Sequence, residues 1–136
     1  GRPVSVLSPA PRLARMDSDA AASGRGLVET YYDAVDAGDY DRLASVLAPD
    51  VVHDRPDRTL SGRETFVSFM RDGRPETETR HEVTATYRAD DGGRVARGRL
   101  VGADGGVRFD FVDVFDVGDD GIRRIETFVR DDLRRG

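Results

Sequence analysis

The chain has 136 residues, room for one domain, and its 38% hydrophobic and 35% charged residues are the make-up of a chain that folds in water. It has no cysteine, which excludes a disulfide framework, a thiolate nucleophile and the common structural zinc sites. All 21 basic residues are arginine and face 26 acidic residues, mostly aspartate, for a net charge of -5; the two signs interleave along the chain and leave no basic stripe for nucleic acid.

Residues 1–25 carry Pro3, Pro9 and Pro11 among small residues without a sustained period, which predicts an irregular N-terminal arm. One domain over residues 26–132 and a short tail at 133–136 follow. The arm has no continuous apolar run of the kind a secretion signal needs, and no segment approaches the length of a membrane span. A soluble, cytoplasmic protein is the expectation. From Leu27, apolar and small residues recur at three-and-four spacing through Val28, Tyr31, Tyr32, Ala34 and Val35 until Gly38, the pattern of an amphipathic helix. Asp39 is placed to cap a second, shorter helix that buries Leu43, Val46 and Leu47 and ends at Pro49. Val51 to Arg55 reads as a short strand. Ser61 and Glu64 match a capping box for a third helix, marked by Phe66, Val67, Phe69 and Met70 and ending near Gly73.

Beyond that point the period changes to two. His81 to Ala89, Val95 to Val101, Val107 to Val117 and Ile122 to Arg130 alternate as four long strands, joined by turns rich in Asp and Gly. Helices first and an antiparallel meander afterwards define an α+β domain. Tyr32 and Tyr40 read as packing residues, and Tyr87 as core on a strand face with Val83 and Ala85.

Val107 to Val117 carries the most information. Alternation puts Val107, Phe109, Phe111, Asp113, Phe115 and Val117 on one face, so a single carboxylate stands in an apolar row. Buried, ionised and alone it would cost several kcal/mol, so it is protonated, paired, or turned to a wet cavity. Two readings follow: a carboxylate held by Arg97, Arg99 or a backbone amide, or a pocket acid with a perturbed pKa.

The runs Tyr31 to Asp41 (YYDAVDAGDYD), Leu47 to Pro56 (LAPDVVHDRP), Ser61 to Phe66 (SGRETF) and Asp110 to Ile122 (DFVDVFDVGDDGI) resemble successive blocks of the ketosteroid isomerases and SnoaL-like polyketide cyclases of the nuclear transport factor 2-like superfamily. The resemblance spans Leu27 to Arg130. It implies a cone-shaped α+β fold, three helices packed on a strongly curved, mainly antiparallel sheet that encloses a pocket. By the same resemblance Tyr31 and Asp113 match the two donors that stabilise an enolate oxygen in the isomerases, a neutral carboxylic acid being the second. The isomerase base aligns with Arg55, which is no base, and the neighbouring Asp54 belongs to the opposite face.

Val51, His53 and Arg55 share the inward face of their strand. His53 is therefore either a hydrogen-bonded core histidine or a replacement base with a pKa near neutrality. Arg55 either holds an anionic group or pairs internally with Asp113 or Asp57. Phe109, Phe111, Phe115 and Thr127 complete the predicted ligand-binding set with Arg55, beside a catalytic set of Tyr31, His53 and Asp113. The charged segment from His53 to Arg58 offers too few imidazoles for a metal site, and no glycine motif for phosphate is present, so neither metal nor cofactor is expected.

Three functions stand open. The first is a cofactor-free module that binds a small apolar or acidic ligand. The second is an isomerase, cyclase or dehydratase with Tyr31 and Asp113 as oxyanion donors and His53 moving the proton. The third is a homodimerisation domain with a vestigial pocket. A small-molecule ligand and a second copy of the chain are the expected partners, with no role for nucleic acid or membrane. The lysine-free, aspartate-rich surface fits either codon bias in a GC-rich genome or adaptation to high salt.

Overall fold

The computed structural model describes residues 10–130, with side chains from residue 24 onward. The elements run α1 (Ala10–Ala37), α2 (Tyr40–Ser45), β1 (Leu47–Asp54), β2 (Thr59–Ser61), α3 (Arg63–Ser68), a π-helical turn (Phe69–Gly73), β3 (Thr79–Arg88), β4 (Arg94–Gly102), β5 (Val107–Gly118) and β6 (Gly121–Arg130). The strands form one sheet in the order β2-β1-β6-β5-β4-β3. Every neighbouring pair is antiparallel except β1 and β6. That parallel contact joins the β1-β2 pair, which precedes α3, to the last strand of the meander. The result is the expected α+β cone: a curved, mostly antiparallel sheet with helices packed on it.

The helical face read from sequence is the buried one. Val28, Tyr31, Tyr32 and Val35 of α1 all lie in the core, joined by Leu43, Phe66, Phe115, Ile122 and Ile125. Helix α1 lies against β3 and β4, and α3 against β1 and β2. Asp39 caps α2 as predicted, its side chain accepting from the Arg42 backbone N–H at 3.2 Å.

Several boundaries differ. The backbone is helical from Ala10, not from Leu27, so most of the predicted arm belongs to α1. Ala10, Leu13, Ala14 and the Ala20 to Ala22 run are strong helix formers, and Pro11 stands in the first turn, where its missing N–H costs nothing. Residues 1–9 of that arm, and the predicted tail at 133–136, lie outside the described residues. Strand β1 begins at Leu47, so Pro49 does not end a helix but sits exposed inside a strand, where the register to β6 shifts between Leu47 and Val52. Strand β2 was not foreseen. It takes Ser61, and the cap of α3 is Gly62 at φ 93°, with no side-chain cap hydrogen bond. The predicted capping box therefore does not form, because the chain leaves the strand through a positive φ that serine does not favour. Tyr87 is 49% exposed, not core: the register of β3 shifts between Val83 and Ala85 and turns it to the outer face. Opposite that shift, Gly98 of β4 lies so close to β3 that a Cβ there would stand 2.1 Å from the Glu82 carbonyl oxygen.

Candidate functional site

Strand alternation and helix periodicity converge on one hollow. A cavity of about 200 Å³ lies between α1, the segment following the π-helical turn and the inner face of the sheet. Of the residues predicted for the site, Tyr31, His53, Arg55, Phe109, Phe111, Asp113 and Thr127 all line it. Phe115 does not. It is fully buried, with its ring centroid 5.6 Å from Tyr31 and 5.9 Å from Tyr32, so this predicted ligand contact is a core residue beneath α1.

Asp113, the one acid of the inward row of β5, is 4% exposed. Its partners are hydroxyls, not arginines. Tyr32 donates to Oδ2 at 2.6 Å and Thr127 to Oδ1 at 2.6 Å. Arg99, one of the expected partners, pairs with Glu82 at 3.3 Å instead. Burial raises the Asp113 pKa, and the hydrogen bonds from Thr127 and Tyr32 and the charges of His81 and Arg55 oppose the rise without cancelling it.

Thr127 extends this network to β1, where His53 Nε2 lies 2.7 Å from its Oγ1. Threonine has one proton and gives it to Asp113, so the imidazole is the donor and carries its hydrogen on Nε2. Its Nδ1 is then a bare acceptor, buried and without a hydrogen-bond partner among the described residues. The ring stacks on Phe66 at 5.0 Å. Burial first, and the Arg55 charge second, lower the His53 pKa from 6.5 to about 3. The Thr127 hydrogen bond and the stacking on Phe66 agree with a hydrogen-bonded core histidine, and the place of His53 in the cavity wall agrees with the second reading.

Tyr31 lines the cavity as expected, whereas Tyr32 does more than pack. Tyr32, expected to be packing, holds the acid. The Tyr31 hydroxyl has no hydrogen-bond partner among the described residues, although its ring is locked edge-on against Tyr32 at 5.1 Å and Phe66 at 6.1 Å. Burial and the nearby Asp113 raise the pKa of both tyrosines, so both remain proton donors. Asp54, as expected, serves the other side of β1, accepting from Thr59 at 2.9 Å and pairing with Arg124.

One pair went unforeseen. Asp36, one helical turn beyond Tyr32, accepts from the His81 ring at 2.6 Å (Oδ1 to Nδ1) and from the His81 backbone N–H at 2.8 Å (Oδ2). His81 lines the cavity, and with Nδ1 committed to the carboxylate its Nε2 makes no hydrogen bond among the described residues. A usable signal was present: His81 stands on the inward face of its strand, and Asp36 at four-residue spacing from a core tyrosine. What sequence does not fix is the register that sets the start of β3 against the end of α1. Among the described residues no group of His, Asp and Glu side chains could hold a metal ion, and no helix is long and apolar enough to cross a membrane.

The family model described as the SnoaL-like domain matches residues 28–125. Among solved structures, a candidate ketosteroid isomerase from Kribbella flavida superposes with a TM-score of 0.69 at 23% identity, covering 79% of this chain and 77% of that one. A candidate polyketide cyclase from Sinorhizobium meliloti gives 0.67 at 21% identity over 76% and 94%. A second candidate polyketide cyclase, from Xanthomonas campestris, gives 0.63 at 26% identity over 85% and 95%. No curated protein matches the chain.

Proposed function

We propose, from the premise that the chain belongs to the SnoaL-like domain family, that this protein binds a compact small molecule of one or two rings in its cone cavity. One observation carries the reading: a hollow of about 200 Å³, walled by Leu100, Phe109 and Phe111, into which an unpartnered tyrosine hydroxyl and a histidine with one uncommitted nitrogen are set. A dry engineered cavity of about 150 Å³ already takes benzene, so this volume suits a single or fused ring system. The apolar wall supplies affinity, and the few polar groups set the orientation of the guest.

A second reading, proton-transfer chemistry of the isomerase, cyclase or dehydratase kind, is favoured by the Asp36 and His81 pair. His81 Nε2 would take or give the proton and the Tyr31 hydroxyl would hydrogen-bond the oxygen that gains charge. The names given to the Kribbella and Xanthomonas structures agree with this class. Asp113 is less suited to the oxyanion role, since both of its oxygens are engaged by protein hydroxyls.

The test is a titration of the isotopically labelled protein with enolisable ring ketones such as 1-tetralone, read by NMR at Tyr31, His81 and Phe109. Perturbations confined to these residues are expected, and their absence at saturating ketone would refute the binding reading. Incubation of a bound ketone in D2O then separates binder from enzyme. Exchange at the α-carbon that is lost in His81→Gln and reduced in Asp36→Asn supports turnover, and binding without exchange rejects it.

A further inference from the structure

Resting on the reading of the cavity as a ligand site, we propose that its guest is an anion, a small cyclic or aromatic carboxylate whose carboxylate seats on Arg74 with Arg55 as the second cation. Three guanidinium groups stand at the cavity wall, and they are not equivalent. Arg108 is neutralised within the protein: Glu76 accepts from its Nε and Nη2 at 2.9 and 3.0 Å, and Asp104 lies 3.1 Å from its Nη2. That contact also uses up Glu76, the other carboxylate at the mouth.

Arg74 is arranged differently. Its Nε donates to the Met70 carbonyl at 3.2 Å and its Nη1 to the Thr79 hydroxyl at 3.4 Å. Two neutral acceptors thus fix the plane of the group, no carboxylate among the described residues forms an ion pair with it, and its Nη2 is buried without a partner. Arg55 also has a buried Nε without a hydrogen bond, the nearest carboxylate being the exposed Asp57 at 3.6 Å. The Phe69 ring lies under its guanidinium at 4.7 Å and holds it in place. An unsatisfied buried donor on a cation is costly, and a charge-assisted bond to a carboxylate removes that cost. Both arginines line the cavity together with Tyr31. Fixed, half-paired cations beside an apolar wall are complementary to a ring that carries one carboxylate, and a neutral carbonyl would offer the orphaned donors only a weaker hydrogen bond.

The experiment is calorimetric titration of the full chain with phenylacetate and 2-naphthoate, each against its neutral amide, and with 1-tetralone as a neutral ketone. Carboxylates are expected to bind roughly tenfold or more tightly than their amides, the worth of one charge-assisted hydrogen bond. Arg74→Gln should remove most of that advantage, weakening the carboxylates far more than the amides, Arg74→Lys should retain part of it, and Arg55→Gln should reduce it. Amides that bind as tightly as acids, or an Arg74→Gln loss equal for both, would overturn the proposal. Binding of 1-tetralone without any binding of the acids overturns the carboxylate assignment and leaves the pocket standing. If no probe of either charge binds, the ligand-site reading falls and takes this proposal with it.

Discussion

His53 offers the sharpest test of how the site is held together. Burial and Arg55 lower its pKa from 6.5 to about 3, so between those values the unfolded chain binds a proton that the folded one refuses. The stability it lends is fully present above 6.5 and is lost as pH falls toward 3, at about 1.4 kcal/mol per pH unit and about 5 kcal/mol in total. Between about pH 7.5 and about pH 5 the same relation gives a loss of about 2 kcal/mol. Asp113 works in the opposite sense: its raised pKa makes the folded state the stronger proton binder, so its contribution falls as pH rises. The two are separated by substituting His53→Gln, whose side-chain amide can still donate to Thr127 but does not titrate. Urea unfolding at the two pH values should show the wild type losing about 2 kcal/mol more than the variant. Parallel losses in the two proteins, or an imidazole NMR titration that places His53 near its ordinary value, would refute the claim that this ring is held neutral by burial.

The adjacent tyrosines should separate cleanly. Tyr32→Phe strips Asp113 of one of its two donors and is expected to cost about 1.5–3 kcal/mol in denaturant unfolding near neutral pH, whereas Tyr31→Phe, which breaks no internal hydrogen bond, should change stability by less than about 0.5 kcal/mol; equal effects would show that the hydroxyl roles are wrongly assigned. Gly98→Ala drives a methyl into the backbone of Glu82 and Val83, and should lower stability by about 1–3 kcal/mol or more, read as a shift in urea midpoint; a neutral result would mean that β3 does not approach β4 so closely. We propose that the outer sheet face, where Phe128 is 55% exposed and Tyr87 49%, pairs with a second copy of the chain, with Val95, Val112 and Val114 between them. Sedimentation should give twice the chain mass of 14.9 kDa and Phe128→Asp should halve it, while a monomer at every concentration would reject the interface.

The fold could be read from sequence because its determinants are local. Apolar spacing in α1 and alternation in β5 depend on period alone, and both gave the correct inward faces, including Phe111, Asp113 and Phe115 in one row. Errors arose where tertiary contacts override the local pattern. Ser61 looks like a cap until β2 pairs with β1 and claims it. Pro49 looks like a helix stop until the parallel contact with β6 draws its neighbours into a strand that tolerates it at an irregularity. Tyr87 looks buried as long as the strand is taken to be regular, and the shift at Val83 reverses it.

Within the site the limit is angular. Successive residues of an α-helix stand about 100° apart around its axis, so the Tyr31 and Tyr32 hydroxyls leave α1 in different directions even though both rings pack on Phe115 of β5, and only that of Tyr32 meets Asp113. Periodicity places each of them in the core, as each has neighbours three and four residues away that are buried. It does not say which hydroxyl meets the acid. That is decided by the roll of α1 against the sheet, and the roll is set by contacts distant in sequence: the Asp36 carboxylate clamping the start of β3 at His81, and Phe66 and Phe115 wedging the Tyr31 ring. With this roll the buried acid is answered by Tyr32 inside the protein, and the hydroxyl of Tyr31 is released to the hollow. The same clamp holds the His81 ring 5.0 Å from that of Tyr32, in the wall of the cavity that Tyr31 also lines. Release of Asp36 should therefore disturb both cavity groups together, so Asp36→Asn is expected to move the NMR signals of Tyr31 as well as His81, whereas a change confined to His81 would mean that the helix takes its orientation from elsewhere.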